Sequence, residues 1–589
     1  MAGFTHLHTV SGFSLRYGAS HPESLAERAS ERGMDALALT DRDTLAGAVR
    51  FAKACARVGV RPLFGAELAV EPPARVREGD PVRRDRRRTP VRGGSFIDES
   101  TPRVTFLARD GARGWGDLCR LVTAAHTAEA LPLLSWPDNH ADGLTVLLGP
   151  ASDVGRALVA GRPDRAAKLL APWREIYGDA LRLEAVWHGR EGTGPGSLRL
   201  AARTVGFAAE QRVRPVLSNA VRYADPGLGP VADVLDAARR LVPIDPRKGV
   251  DSGEAWLKDA GGMLRVAERV VEAAGYRRDI AYRLVEQTQA TAAECLVDPD
   301  DDLGMGAVHF PEPHLVGAGR RTALRALASR AAAGMVLHGY AGRRDYWERM
   351  HQELDIIAHH GFASYFLTVA QVVDDVRGMG IRVAARGSGA GSLVNHLLGI
   401  AHADPVEHGL LMERFLSKER VVLPDIDIDV ESARRLEVYR AIIGRFGEER
   451  VATVAMPETY RVRHAVRDVG AALSMDPAEI DRIAKSFPHI RARDARAALD
   501  ELPELKALAG EKERYGRLWE LVEALDALPR GVAMHPCGVL LSDASLLART
   551  PCRCRSLVRS MRVLTCRSRS DAQRIRTHRP REMRKPRRS

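Results

Sequence analysis

The sequence predicts an α/β plus α chain that opens as a β/α barrel and continues into helical and mixed α/β segments. Two observations carry this. Short β-like runs alternate with helical periodicity through residues 1–230, and beyond 230 helical spacing dominates except around 361–430. A third observation, an abrupt change of composition near residue 551, sets off an Arg-rich end.

Residues 23–32 place apolar side chains at helical spacing, 35–40 (DALALT) read as a strand, 45–58 as a helix and 62–70 as a second strand. These look like the opening units of a parallel barrel. Residues 71–100 are rich in Arg, Pro and Gly without periodicity, and read as a flexible surface insertion. The rhythm resumes at Arg103 through VTFLA, LTVLLG, LRLEAV and RPVLSNAVRY. From 233 to about 360 the pattern is helical, with proline breaks in 242–246 and 310–313. Residues 432–526 are expected to be helical, including VATVAMPETYRVRHAV, where apolar residues recur three and four apart. Residues 531–542 (GVAMHPCGVLLS) read as a short buried strand with its approach loop.

A chain of 589 residues is too long for one hydrophobic core. Its 45% hydrophobic and 28% charged residues exclude fibrous and disordered classes. The start lacks signal-peptide character and no apolar run reaches the length of a membrane span, so a cytoplasmic protein without a membrane partner is expected. Residues 552–589 hold 14 Arg or Lys against Asp571 and Glu582, which accounts for the whole net charge of +12. The rest is electrically balanced, so an argument for a nucleic-acid partner has to rest on motifs. Cys55, Cys119, Cys295 and Cys537 are scattered singly, against a disulfide framework or a zinc site.

The densest motif is Asp425-Ile426-Asp427-Ile428-Asp429-Val430. In a strand, alternate side chains share a face, so the carboxylates line one side and the aliphatic residues the other. Three like charges in a row call for a compensating cation, and hard divalent metal suits aspartates. A solvated acidic edge strand is the plainer alternative for this motif taken alone. About 40 residues earlier, Arg386-Gly387-Ser388-Gly389-Ala390-Gly391-Ser392 joins a β-like run to an apolar helix. Small residues let backbone N–H groups approach an anion at a helix start, and Arg386 adds donors. A plain turn is the alternative, but the neighbouring carboxylate strand favours a site.

Gly361-Phe362, Tyr365-Phe366-Leu367, ARGSGAGSL, DPVEHGLLMERFLSKER, PDIDIDV and RHAVRDVG occur in this order and resemble the palm and thumb of the bacterial C-family DNA polymerases, the DNA polymerase III alpha subunit family. The stretches HPESLAERASERGMDALALTDRDTLAGAVRFAKACARVGVRPLFGAEL and HPCGVLLSD resemble its error-prone branch more than its replicative branch. The resemblance covers about residues 4–550. It implies a PHP-type barrel over 1–230 with 71–100 as its insertion, and a helical connection with the first palm segment over 231–431. A helical thumb follows over 432–530, and the start of a second palm segment over 531–551. It leaves 552–589 as a disordered basic tail from a shifted reading frame, with fingers absent.

The implied activity is DNA-directed DNA polymerase, a nucleotidyltransferase adding dNTPs to a primer 3′ end by two-metal phosphoryl transfer in damage-tolerant synthesis and repair. Asp427 and Asp429 would be catalytic and hold Mg²⁺, with Asp425 a neighbour. Arg386, Gly387, Ser388, Gly389 and Ser392 would bind the nucleotide, and Arg420, Arg463 and Arg467 would lie near phosphates. Primer–template DNA, dNTPs, a sliding clamp and other damage-tolerance proteins are the implied partners.

His6-Leu7-His8 resembles the first metal motif of the PHP domain, and Asp41, Glu67 and His126 fit later positions. The family's Asp-His-Gly is Asp41-Arg42-Asp43 here, and its Asp-Val-His is Ala220-Val221-Arg222. A permanent guanidinium where metal would sit implies a degraded site with no PHP metal. The family also continues into a third palm aspartate and fingers, so the chain as written is expected to be an inactive fragment. The alternatives are a non-catalytic DNA-binding fragment and a PHP phosphoesterase.

Overall fold

The computed structural model describes residues 3–71, 101–127, 131–132, 142–248, 250–319, 322–419 and 423–552. The expected insertion past Glu71, Arg420 and the expected basic tail lie outside the described residues. The chain divides into two compact units: Met1–Gly306 with Ala455–Pro536 and Leu547–Arg553, and a second built on Ala307–Val454 with Cys537–Leu546. These divisions fall at 306/307 and 454/455.

The first unit is built on a seven-stranded sheet of β1 (Ala36–Arg42), β2 (Arg61–Glu71), β3 (Arg103–Ala108), β4 (Leu131–Pro132), β5 (Leu144–Leu148), β6 (Leu181–Val186) and β7 (Arg214–Ser218). The order is β1-β2-β3-β5-β6-β7, with β4 beside β2. Residues 6–10 bridge the two ends of that order. Ala38 donates to His6 O and Thr40 to Thr9 O on the β1 side, while Val10 N donates to Val221 O just past β7.

Helices α1 (Pro22–Glu31), α2 (Ala48–Val58), α3 (Gly111–Thr127), α4 (Asp153–Val159), α5 (Pro163–Tyr177) and α6 (Leu198–Gln211) lie between strands in the chain. The strands are apolar on both sides because both faces are covered. Leu37, Leu39, Phe64, Phe106 and Val146 share one cluster with Phe51, Trp115 and Trp173 of the helices. Their alternates Ala36, Ala38, Leu63, Leu107 and Leu147 form a second, smaller cluster with Ala292 and Cys295. Helices α7 (Gly229–Arg240), α8 (Ala260–Ala273) and α9 (Ile280–Glu294) complete this stretch.

The expected α/β architecture is present, with one correction to its parallel character: β3 runs antiparallel to both β2 and β5. The pairs β1–β2, β5–β6 and β6–β7 are parallel. Between β3 and β5 the chain passes α3 and β4, and an antiparallel pair does not need the crossover connection that a parallel pair requires.

The second unit contains α10 (Ala323–Leu337), α11 (Arg344–His359), α12 (Ala363–Gly378), a strand β8 (Val383–Arg386), the short α13 (Leu393–Leu397), a strand β9 (Asp427–Val430) and α14 (Arg435–Phe446). Its core gathers Leu327, Met350, Ile357, Phe366, Phe415 and Phe446. Next come β10 (Val451–Thr459) and, later in the chain, β11 (Pro529–Leu541), which pair with each other. Both correct an expectation. Residues 451–459 are a strand rather than a helix: Pro457 cannot continue a helix, and Val451, Thr453 and Val454 favour extended backbone. The strand at 529–541 is partly or fully exposed along most of its length rather than buried.

Helices α15 (Val462–Ala472), α16 (Pro477–Ser486), α17 (Ala495–Glu501), α18 (Lys506–Ala509) and α19 (Gly516–Ala524) return to the first unit, where Val466, Phe487 and Trp519 pack with Val231 and Leu235 of α7. Asp476 caps α16 by accepting from Ala478 N and Glu479 N, ahead of Pro477 at the first turn. Among the described residues no single helix is long and apolar enough to cross a membrane.

Candidate active site

Strands β8 and β9 pair antiparallel, with Arg386 opposite Asp427 and Ala384 opposite Asp429. Directly opposed residues share a face, so Arg386, Asp427 and Asp429 project to one side. That side is solvent: Asp427 and Asp429 are exposed while Ile428 and Val430 are half-buried. Ile426, Ile428, Val430 and Ala385 lie against the core of the second unit. One pairing therefore separates chemistry from core.

Arg386 Nε lies 3.0 Å from Asp429 Oδ1. Gly387 follows with φ of +69°, and a Cβ built on it would sit 3.6 Å from Asp427 Oδ2. The turn thus brings the start of the Gly-rich loop against the first carboxylate. Tyr365 of α12 aligns the approach to β9, donating from its hydroxyl to Pro424 O at 2.9 Å and accepting from Ile426 N at 3.2 Å. Burial pushes that phenol up to about 12, so it remains a donor at neutral pH.

Along the loop, Arg386, Gly387 and Ser388 are exposed, whereas Gly389, Gly391 and Ser392 are buried. The Ser392 hydroxyl donates to Glu353 Oε2 at 2.8 Å and accepts from Asn395 N at 3.2 Å. Leu393 N and Val394 N each donate to the Glu353 carboxylate at 3.0 Å. Glu353 is 1% exposed and also accepts from Arg349 Nε at 2.8 Å.

The expected phosphate contacts Arg463 and Arg467 lie on α15 in the first unit. Arg463 Nε donates to Phe487 O at 2.7 Å and Arg467 pairs with Asp481 at 3.3 Å.

In the first unit the pairing of β1 with β2 sets Arg42 beside Glu67. Arg42 grips that carboxylate with two donors at 2.6 and 3.1 Å, and Arg103 Nε lies 3.3 Å away. Burial opposes ionisation of Glu67, but Arg42 and Arg103 hold its pKa well below the usual carboxylate range. His8 donates towards Glu184 at 2.8 Å and lies 3.9 Å from Glu67. Burial would lower the His8 pKa, yet Glu184 and Glu67 raise it to about 10.

Asp41 is buried and accepts from Ser11 N, Ser11 Oγ and Ser14 Oγ at 2.6–2.8 Å, and burial raises it to about 6. His6 meets Lys258 O at 2.8 Å, and His126 meets Asp43 O at 2.6 Å. Arg222 pairs with Asp236 and Asp251, and its guanidinium and that of Arg42 stack on Tyr17 at 4.0 and 3.3 Å from the ring centre. The expected PHP ligands are thus committed to protein partners, and guanidinium supplies the positive charge that Glu67 requires. These residues do not fit a bound metal ion.

Residues 6–186 match the PHP domain model, and 322–566 match the model of the bacterial DNA polymerase III alpha NTPase domain. The DNA polymerase III subunit alpha of Caulobacter vibrioides is 31% identical over 93% of this chain and 46% of its own length. The error-prone DNA polymerase of Symbiobacterium thermophilum is also 31% identical, over 93% of this chain and 48% of its own. That of Mycobacterium bovis is 31% identical over 92% and 46%. The chain carries stretches that match the PHP and DNA polymerase III alpha NTPase domains, and along most of its length it is similar to DNA polymerase III alpha subunits and error-prone DNA polymerases. It spans about half the length of the curated relatives it matches. Its NTPase-domain match contains the whole β8–β9 ribbon and runs 15 residues past Pro551, where the sequence was expected to depart from the family.

Several residues of these two constellations carry no motif of their own. Glu353 sits in MHQELDII, an ordinary amphipathic pattern, and Asp236 and Asp251 lie in segments without a motif. Glu184 was readable as an acid in the middle of the strand LRLEAV, where a buried charge needs a partner.

Proposed function

We propose that this chain carries the nucleotide and metal half-site of a DNA-directed DNA polymerase of the error-prone alpha type. The observation that supports it best is the β8–β9 register, with Arg386, Asp427 and Asp429 on one exposed face beside the turn at Gly387. Asp427 and Asp429 offer hard, solvated oxygen ligands of the kind Mg²⁺ accepts while keeping several waters. When bound, Mg²⁺ would neutralise charge on the triphosphate oxygens and favour the phosphoryl transfer to a primer 3′ hydroxyl.

Arg386 would exchange its contact with Asp429 for phosphate oxygens, and Gly387 would leave the backbone open to close approach. Assignment to damage-tolerant synthesis rests on the two error-prone-like stretches, the one that opens at His21 and HPCGVLLSD. Primer–template DNA, dNTPs, a sliding clamp and a cytoplasmic setting follow from the same reading. The phosphoesterase alternative is disfavoured by the Arg42–Glu67–Arg103 arrangement.

The test is titration of a fluorescent dNTP with Mg²⁺ against the 589-residue chain and against the Asp427→Ala, Asp429→Ala double variant. Affinity should fall at least tenfold in the variant. Equal Mg²⁺-dependent affinity would overturn the assignment.

A further inference from the structure

The stretch from Arg386 to Ser392 is uniform in composition, but its two ends are in different chemical states. The C-terminal end leads into α13, whose first-turn N–H groups would ordinarily be open to an anion. They are already taken. Glu353 Oε1 accepts from Leu393 N, and Oε2 accepts from Val394 N and the Ser392 hydroxyl. Ser392 Oγ in turn accepts from Asn395 N, and Asn395 Nδ2 donates to Gly389 O at 2.9 Å. Arg349, one turn before Glu353, pairs with the same carboxylate. A carboxylate that is 1% exposed and receives four donors has no room for a phosphate beside it.

We propose that Glu353 is the positioning residue of the nucleotide loop. It stands in for an anion at the α13 N-terminus, fixes the loop from Gly389 onwards, and restricts triphosphate contact to Arg386, Gly387 and Ser388. Ser392 belongs to the anchor and not to the ligand. This rests on the reading of the loop as a triphosphate cradle. It adds that half of the cradle is filled by the protein itself, from a helix more than 30 residues upstream.

Glu353→Gln keeps the shape but turns one acceptor into a donor that faces the N–H groups of α13. Glu353→Asp keeps the charge on a shorter stem. The measurements are hydrogen exchange of the 386–395 amides and titration with Mg²⁺–dNTP and with Mg²⁺–tripolyphosphate, all on the full chain. Glu353→Gln should lose at least tenfold protection at Leu393 and Val394, while the amides of α12 keep theirs. It should bind dNTP and tripolyphosphate more weakly by the same factor, ten or more, and Glu353→Asp should recover part of that loss. Ser388→Ala should weaken tripolyphosphate binding, although Ser388 is the more exposed of the two hydroxyls.

Unchanged exchange at Leu393 and Val394 in Glu353→Gln overturns the proposal whatever the ligand data show. So does unchanged affinity when the unmodified chain binds. If the unmodified chain binds neither probe, the cradle reading fails, and the exchange result still decides whether Glu353 is the anchor. Should Glu353→Gln not fold, Ser392→Ala, which removes the hydroxyl linking Glu353 to Asn395 N, takes its place, with the tenfold loss of protection read at Asn395 and unchanged exchange there overturning the proposal.

Discussion

At the residue scale, Arg42 and His8 are the side chains whose replacement should be felt most in the first unit. Arg42→Ala leaves Glu67 buried with two of its donors gone. Breaking a buried pair costs about 3–5 kcal/mol, and because Arg103 and His8 still face Glu67 the loss here should lie near about 3 kcal/mol. Denaturant unfolding of Arg42→Ala beside the unmodified chain reads it, and a loss under about 1 kcal/mol would show the pair to be ornamental.

The His8 contribution depends on pH. Its folded pKa is raised from 6.5 to about 10 by Glu184 and Glu67 against the effect of burial. Stabilisation is therefore complete below about 6.5, declines as pH rises, and is gone above about 10. His8→Gln should lower the melting temperature clearly at pH 6 and hardly at pH 10. An equal difference at both would contradict the assignment of charge. The two sets of site residues differed in legibility. Asp427 and Asp429 could be read because period-two alternation puts charges on one face, and Arg386 because it opens a Gly- and Ser-rich run at a helix start. Glu353 could not, because one acid on an amphipathic helix looks solvated until the fold shows where it points.

At the element scale, the Gly-rich loop distinguishes its glycines. Gly387 has φ of +69°, a conformation that costs an L-residue roughly 1–2 kcal/mol, and its Cβ position faces Asp427. At Gly389 the atoms nearest an added Cβ are 3.6–3.7 Å away, which is ordinary contact. Gly387→Ala should therefore weaken Mg²⁺–dNTP binding several-fold while Gly389→Ala stays within about twofold. Comparable losses at both would point to the loop's overall flexibility instead of the single turn.

The elements of the first 300 residues were legible because strands covered on both faces make continuous apolar runs between amphipathic helices. The direction of β3 was not, since side-chain alternation is the same in parallel and antiparallel pairing. Residues 451–459 were misread for a related reason: apolar residues spaced three and four apart also occur in VATVAMPET, and there Pro457 and the β-branched residues outweigh the spacing.

At the scale of the whole molecule, the two constellations can be tested for independence. Arg42 meets Glu67 and Tyr17 inside the first unit, and Asp427 and Asp429 face Arg386 and Gly387 inside the second. Mutations that share no partner add to within about 0.3–0.5 kcal/mol. Arg42→Ala should thus lower unfolding stability and leave the Mg²⁺–dNTP dissociation constant within about twofold. The Asp427→Ala, Asp429→Ala variant should do the reverse, because exposed side chains away from buried networks change stability by about 0.5 kcal/mol or less. Combining all three substitutions should give the sum of the two stability changes and the binding loss of the aspartate variant alone. Calorimetry and dNTP titration on the single, double and triple variants measure each quantity. A folded Arg42→Ala chain that binds dNTP tenfold more weakly would show that the first unit's guanidinium network helps to set the geometry of the loop, and the independence of the two units would have to be abandoned.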